Sequence, residues 1–175
     1  MKVNEPFNPK VKSKPTPSNI NFILASETYL DGIVKLLHER NPKVLVDKIK
    51  TKTLKEIKQY KDDPLYWLYI ATIENEVVGL CRFHHSSCVP AHKNRFPAPA
   101  GWYGMGILVL AKWHRHNISS FLTQKRIEKL KKMKIDSLYS VVDSDNLSSK
   151  KMHEKYGFKK VAQARGFLHI DFEDK

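Results

Sequence analysis

Three scarcities narrow the reading of this chain before any motif is weighed. No apolar run approaches the roughly 20 residues a membrane-spanning helix needs, and the opening Met1-Lys-Val-Asn-Glu-Pro6 lacks the apolar stretch of a secretory signal, so a cytoplasmic protein without membrane partners is expected. Cysteine occurs twice, at Cys81 and Cys88, with the first in a strand-like run and the second in a loop-like one. Two such residues build neither a disulfide framework nor a zinc ligand set, so free thiols and no metal are expected. Acidic residues are outnumbered, 18 Asp and Glu against 31 Lys and Arg, for a formal net charge of +13. That balance repels polycations and attracts polyanions, whether a phosphate-rich cofactor or nucleic acid. There is no internal repeat, which excludes a solenoid.

What is present suffices for one compact domain: 175 residues, 41% hydrophobic and 28% charged. Residues 1–18 set Lys2, Lys10, Lys12 and Lys14 among Pro6, Pro9, Pro15 and Pro17, a composition that resists a packed core and predicts a flexible basic tail. From residue 19 the pattern alternates. Ile20 to Ala25 reads as a strand, and Ile33, Leu36 and Leu37 as the apolar face of a helix that ends near Arg40. A second helix spans Val44 to Lys61. Tyr66 to Thr72 and Val77 to Phe83 form a hairpin about Glu74 and Asn75. A proline-rich loop, residues 84–100, carries His84, His85 and His92 and is expected near a substrate site. Trp102 to Leu110 is a strand, and a basic helix runs from His116 or Asn117 to Lys134. Its Lys125, Arg126, Lys129, Lys131, Lys132 and Lys134 mostly belong to a solvated polar face. Then come a strand at Ser137 to Val142, a helix at Asn146 to Tyr156, and strands at Phe158 to Ala162 and Phe167 to Phe172 that close the sheet. The fold class is α/β (α+β), a mixed central sheet of about six to seven strands flanked by about four helices.

Chemistry concentrates between Leu108 and Phe158. A turn from strand to helix exposes amides that have no intrahelical partner, and the helix dipole adds positive potential there, so a pyrophosphate is held readily. Trp113-His-Arg-His-Asn-Ile-Ser-Ser120 is such a turn. His114, Arg115 and His116 would reinforce the anion site, and Asn117 tolerates a left-handed backbone.

The run Leu108-Val-Leu-Ala-Lys-Trp-His-Arg-His-Asn-Ile-Ser-Ser-Phe-Leu122 resembles the acetyl-CoA-binding motif of the GNAT acetyltransferases, an apolar strand followed by Arg/Gln-x-x-Gly-x-Gly/Ala and a helix. His114 takes the Arg/Gln place, Asn117 the first Gly and Ser119 the Gly or Ala, so all three fixed positions are substituted. The second half of the signature, Asn-x-x-Ala-x-x-x-Tyr-x-x-x-Gly-Phe, resembles this chain at Asn146, Ser149, His153, Gly157 and Phe158 without a gap. The resemblance implies a single GNAT-like domain over residues 19–175. It implies acetyl-CoA as cosubstrate, bound by Leu108, Val109, Leu110, His114, Arg115, His116, Asn117, Ile118, Ser119, Ser120, Asn146 and Ser149.

It further implies direct acetyl transfer to an amine. Strand amides near Leu108 to Leu110 would serve as the oxyanion site, with His153 as the acid toward the leaving thiolate. The family's base, a glutamate on the fourth strand, falls near Tyr103, and Trp102 to Leu110 holds no carboxylate. Tyr103 is therefore the second catalytic candidate, and water, His84 or His85 are alternatives for the base. Gly104 and Gly106 mark a bulge or a close approach of substrate. Trp67, Phe96, Trp102 and Tyr103 are candidate walls of an acceptor pocket. A small or amino-acid-like amine suits the positive charge better than a polycationic aminoglycoside, which would need Glu27, Asp31, Asp62 and Asp63 along the pocket; a protein amine comes next. Two other classes stay open: an inactive acyl-CoA-binding regulator and, less favoured because α-helical lysines 125–134 lack interleaved aromatics, a nucleic-acid module. The last strands leave a homodimer open.

Overall fold

The computed structural model describes residues 14–86, 100–161, 166–167 and 170–171. Strand β1 (Asn21–Leu24) leads through a short 3-10 turn (Glu27–Tyr29) into helices α1 (Leu30–Arg40) and α2 (Val46–Asp62). Strands β2 (Tyr66–Ile73), β3 (Glu76–Ser86) and β4 (Gly101–Val109) follow, then α3 (Ile118–Lys132), β5 (Leu138–Ser140), α4 (Leu147–Lys155), β6 (Gly166–Phe167) and β7 (Ile170–Asp171). The first five strands form one sheet in sequence order, antiparallel from β1 to β4, with β5 joining β4 in parallel. This is the expected mixed sheet with four helices.

The hairpin turn between β2 and β3 places Glu74 and Asn75 at φ 49° and 66°, the left-handed pair that matches the twist of a two-residue hairpin loop. Helices cover both faces of the sheet. Ile33 and Leu36 of α1 and Ile57 of α2 pack on Leu68, Ile70 and Leu80. Ile118 and Leu122 of α3 pack on Ala71 and Cys81 of the opposite face. Each such side chain contributes about 1.5–3 kcal/mol when fully buried.

Several expectations are corrected. β3 continues through His84 and His85, because β4 pairs along it as far as Ser86↔Gly101; the loop expected over 84–100 begins later, and residues 87–99, with Cys88, His92 and Phe96, lie outside the described residues. Residues 158–161 form no strand, and among the described residues β6 and β7 pair with each other rather than with the sheet. Of the basic tail over 1–18, expected to be flexible or loosely docked, residues 14–18 are described, and the Lys14 N–H donates to the Arg115 carbonyl at 2.7 Å. Residues 1–13 lie outside the described residues.

Trp102 and Tyr103 are buried, at 7% and 0% exposure. A strand with helices on both faces hides consecutive side chains. Trp102 stacks on Trp67 and Tyr103 on Tyr139, so this aromatic pair is core and does not wall a pocket.

Candidate active site

β4 and β5 are paired for three residues, Trp102↔Leu138, Tyr103↔Tyr139 and Gly104↔Ser140. β5 then ends, whereas β4 runs on to Val109. The two strands therefore part beyond Gly104 and Ser140, leaving one edge of β4 without a strand partner among the described residues from Met105 onward. A bulge falls in the same stretch: β3–β4 register slips between Leu80↔Leu108 and Arg82↔Met105, and Gly106 takes a φ of 43° that favours glycine. The Leu110 N–H donates to Val78 at 3.0 Å, so it belongs to the ladder and is removed from the expected oxyanion donors. Strand alternation turns Val109 the opposite way, and its carbonyl accepts from His114 Nε2 at 3.0 Å on that side. The Val109 amide is thus the strand donor that faces the gap.

At the outer end of the gap lies the loop into α3. Asn117 is left-handed, φ 57° and ψ 16°, as its residue type allows. Arg115 is also left-handed, at φ 65°, which nothing in its identity foretells. Neighbouring side chains brace the loop. The Glu39 carboxylate accepts from the Ala111 N–H at 2.6 Å, and Glu76 accepts from Lys112 and from the Trp113 indole at 2.6 and 3.4 Å. His116 Nδ1 donates to the His114 carbonyl at 3.0 Å. Each of these two histidines thus spends one ring nitrogen on the backbone. The first-turn amides of Ile118, Ser119 and Ser120 have no intrahelical acceptor by helix geometry. A cavity of about 400 Å³ opens beside them, lined by residues that include Asn117, Ser120, Lys125, Lys155 and Tyr156.

At the inner end stands His153. Asn146 caps α4 by accepting from the Ser149 N–H at 3.0 Å, which leaves its exposed amide nitrogen free of that role. α4 is stitched to α3 by Tyr156 Oη, which donates to the Ser120 carbonyl at 3.0 Å, and by Thr123 against Met152 at 3.2 Å. His153 is only 9% exposed. Its Nδ1 donates to the Ser149 carbonyl at 2.7 Å, its Nε2 meets Ser140 Oγ at 2.8 Å, and Phe158 packs edgewise on the ring. Burial lowers its pKa below the usual 6.5; the Ser149 hydrogen bond opposes that shift and the Arg126 charge adds to it.

Arg126 corrects the expectation of a wholly solvated basic face. Its side chain is 1% exposed, with Nη1 on the Arg82 carbonyl at 3.3 Å and Nε without a partner. Gly104 makes room for it: a Cβ there would lie 2.6 Å from the guanidinium carbon. So Gly104 serves this packing, and Gly106 serves the bulge. The other lysines of α3 are surface groups, Lys125 paired with Glu128 at 2.8 Å and Lys129 over the Trp67 ring.

The structure thus brings together Val109, His114, Arg115, His116, Asn117, Ile118, Ser119 and Ser120 at one end of the gap and Asn146, Ser149 and His153 at the other. Tyr103 lies one residue before Gly104, fully buried and stacked on Tyr139. His84 stacks flat on Tyr66 and His85 meets Trp102 edge-on, within the aromatic packing of β2 to β4. Burial, and secondarily His85, lowers the His84 pKa. Sequence reading missed Ser140 and Arg126; the glycine at 104 was the one available sign of the latter. Among the described residues no three His, Cys, Asp or Glu side chains converge as a metal site, and no helix is long and apolar enough to cross a membrane.

A mixed sheet that opens between two parallel strands, with unpaired helix amides at one end of the opening and an imidazole at the other, defines an acyltransferase of the CoA-thioester class. The sequence profile of the Acetyltransferase (GNAT) family matches residues 30–158, and the chain belongs to that family. Solved structures share the fold. Aminoglycoside antibiotic 6'-N-acetyltransferase AAC(6')-Ih from Acinetobacter baumannii is 19% identical at TM-score 0.62, over 82% of this chain and 93% of that one. PaiA N-acetyltransferase from Thermoplasma acidophilum, in complex with coenzyme A, is 16% identical at TM-score 0.63, over 87% and 95%. A transcriptional regulator from Bacillus halodurans is 19% identical at TM-score 0.63, over 82% and 95%. No curated protein sequence matches the chain.

Proposed function

We propose that this acetyltransferase moves an acetyl group from acetyl-CoA directly to a primary amine of a small or amino-acid-like molecule, with a protein amine as the next acceptor class. The observation that carries the reading is His153, fixed by α4 at the point where β4 and β5 part. The pyrophosphate would lie on the amides of Ile118, Ser119 and Ser120, with the left-handed Asn117 turning the chain as glycine would. The thioester arm would run along the open edge of β4, within reach of the Asn146 amide. The Val109 N–H would then receive the oxyanion that forms when the amine attacks. His153 handles the proton on which expulsion of the thiolate depends.

A net charge of +13 favours the phosphates of CoA. It disfavours a polycationic acceptor, the more so because Asp31 is already paired with Lys50 at 3.0 Å and Asp63 accepts from the Leu65 N–H at 2.8 Å. The absence of a carboxylate from β4 supports a second reading, a CoA-binding regulator without turnover. Calorimetric titration with acetyl-CoA tests the pair. Micromolar binding that survives His153→Ala supports the cofactor site, and turnover in an amine screen then selects the enzyme. Binding without turnover on any amine selects the regulator, and no binding by wild type or by Asn117→Gly removes both.

A further inference from the structure

The transferase reading leaves unexplained how a shielded imidazole with both nitrogens engaged inside the protein reaches a substrate, and which group takes the proton from the amine. Nδ1 is 2.7 Å from the Ser149 carbonyl and must carry a hydrogen to bond it. In the neutral ring Nε2 is then a lone pair, and the group facing it is the Ser140 hydroxyl at 2.8 Å. That hydroxyl has one hydrogen. Its other neighbour, the Gly104 carbonyl, is 3.5 Å away, so the hydrogen goes to Nε2. Phe158 closes one side of the ring. Among the described residues, the charged group that bears on it is Arg126 of α3, a cation that opposes protonation. The ring therefore communicates outward through Ser140, the last residue of β5 and a member of the last β4–β5 pair before the gap.

We propose that Ser140 is the catalytic residue that touches the reacting atoms, and that His153 acts through it, first as base and then as acid. The amine nitrogen bonds to the thioester carbon, and the carbonyl π pair moves to oxygen. The resulting N⁺–H gives its proton to Ser140 Oγ as the serine's own proton passes to His153 Nε2, which leaves an imidazolium. The oxyanion re-forms the carbonyl, and the C–S bond breaks with its electron pair going to sulfur. The imidazolium returns its proton to Ser140 Oγ, and the serine passes one to sulfur. The net products are an amide and a CoA thiol, with Ser140 and His153 restored, so the shuttle needs no carboxylate on β4.

The inference rests on the transferase reading, and the two can fail separately. With bound CoA in the full-length chain, ultraviolet titration of the thiolate reads the thiol pKa directly, without turnover. Ser140→Ala should shift that pKa while CoA affinity stays within about threefold, and Ser140→Thr should keep the wild-type value. With an accepted amine, Ser140→Ala should lower kcat about 10²-fold, as expected for loss of a proton-transfer group, with little change in KM for acetyl-CoA. It should also erase the acidic limb of the kcat profile, and Ser140→Thr should restore both. Nitrogen-15 spectra of the imidazole should show the Nδ1–H tautomer in wild type. A bound thiol indifferent to Ser140→Ala, an unchanged acidic limb, or equal damage from Ala and Thr would overturn the shuttle while leaving the transferase intact. Failure of wild type to bind CoA would overturn both.

Discussion

The two ends of the β4–β5 gap are built from different materials. In the proposed mechanism the inner corner, His153 with Ser140 and Ser149, would work through side chains whose identity is the chemistry. The outer loop, Arg115 to Ser120, would work through backbone amides, so its residues would matter for the dihedral angles they allow. All three family-typical positions of the loop are replaced, yet Asn117 keeps the left-handed turn at φ 57°. The corner keeps Asn146, while Ser149 and His153 stand at the places of the signature's Ala and Tyr. A backbone site can lose its signature and keep its shape, whereas a side-chain site tolerates only replacements that can do the same chemistry.

That contrast is open to direct attack. The largest effect should come from His153→Ala, with kcat lower by about 10²- to 10³-fold and acetyl-CoA affinity nearly unchanged in a calorimeter; a loss of affinity instead would make the corner a binding element. Next comes Asn117→Val. A β-branched residue held left-handed costs about 1–2 kcal/mol, so acetyl-CoA should bind roughly tenfold more weakly by the same measurement, while Asn117→Gly stays within about threefold of wild type. Equal damage from Val and Gly would show that the Asn117 side chain, not its backbone, is what matters.

Arg126→Met should sharpen the view of the corner. Removing a buried cation with an unpartnered Nε relieves desolvation, and a gain of about 1 kcal/mol raises the melting temperature by roughly 2–4 °C for a chain of this size. The same change takes a like charge from His153, so the acidic limb should move to higher pH.

The smallest effect is on stability against pH. Burial lowers the pKa of both His153 and His84 in the folded chain, so below about 6.5 the unfolded chain binds the extra protons. Stability is full above that value and falls as pH drops through it toward the depressed folded values. Urea midpoints at pH 7.5 and 5.5 should differ in that sense, and His153→Gln should reduce the difference.

Most of the fold was legible because it is written in period. The aromatic and β-branched content of β2 and β3 about a short polar turn and the helical spacing of Ile33, Leu36 and Leu37 marked their elements. Asn146 to Phe158 was legible because its spacing matches the family motif, and Asn117 because few other side chains accept its dihedral. Pairing across the sheet was not legible. His84 and His85 read as loop because what holds them in strand is pairing with distant segments, Tyr66 of β2 against His84, the Leu65 carbonyl on the His85 N–H and β4 alongside to Gly101. Trp102 and Tyr103 read as pocket walls because a sequence does not say that both faces of β4 are covered. Ser140 meets His153 across 13 residues by β5–α4 geometry that no local pattern encodes. Arg126 lies one position from Lys125, and a lysine-rich stretch hides which of its members turns inward.

The docked segment at the other end of the chain has a thermodynamic consequence. Lys14 is held on both sides by the loop into α3: its N–H donates to the Arg115 carbonyl at 2.7 Å, and its carbonyl accepts from Asn117 Nδ2 at 2.9 Å, 103 residues away in sequence. With acyl-CoA seated on this loop as proposed, strap and cofactor would share one piece of backbone, and their equilibria would be linked. Whatever factor a seated strap applied to acyl-CoA affinity, bound acyl-CoA would apply to the seating of the strap. A tether, tag or partner that pulls on the N-terminus would in that sense be an effector of the proposed cofactor site, acting without contact with the gap.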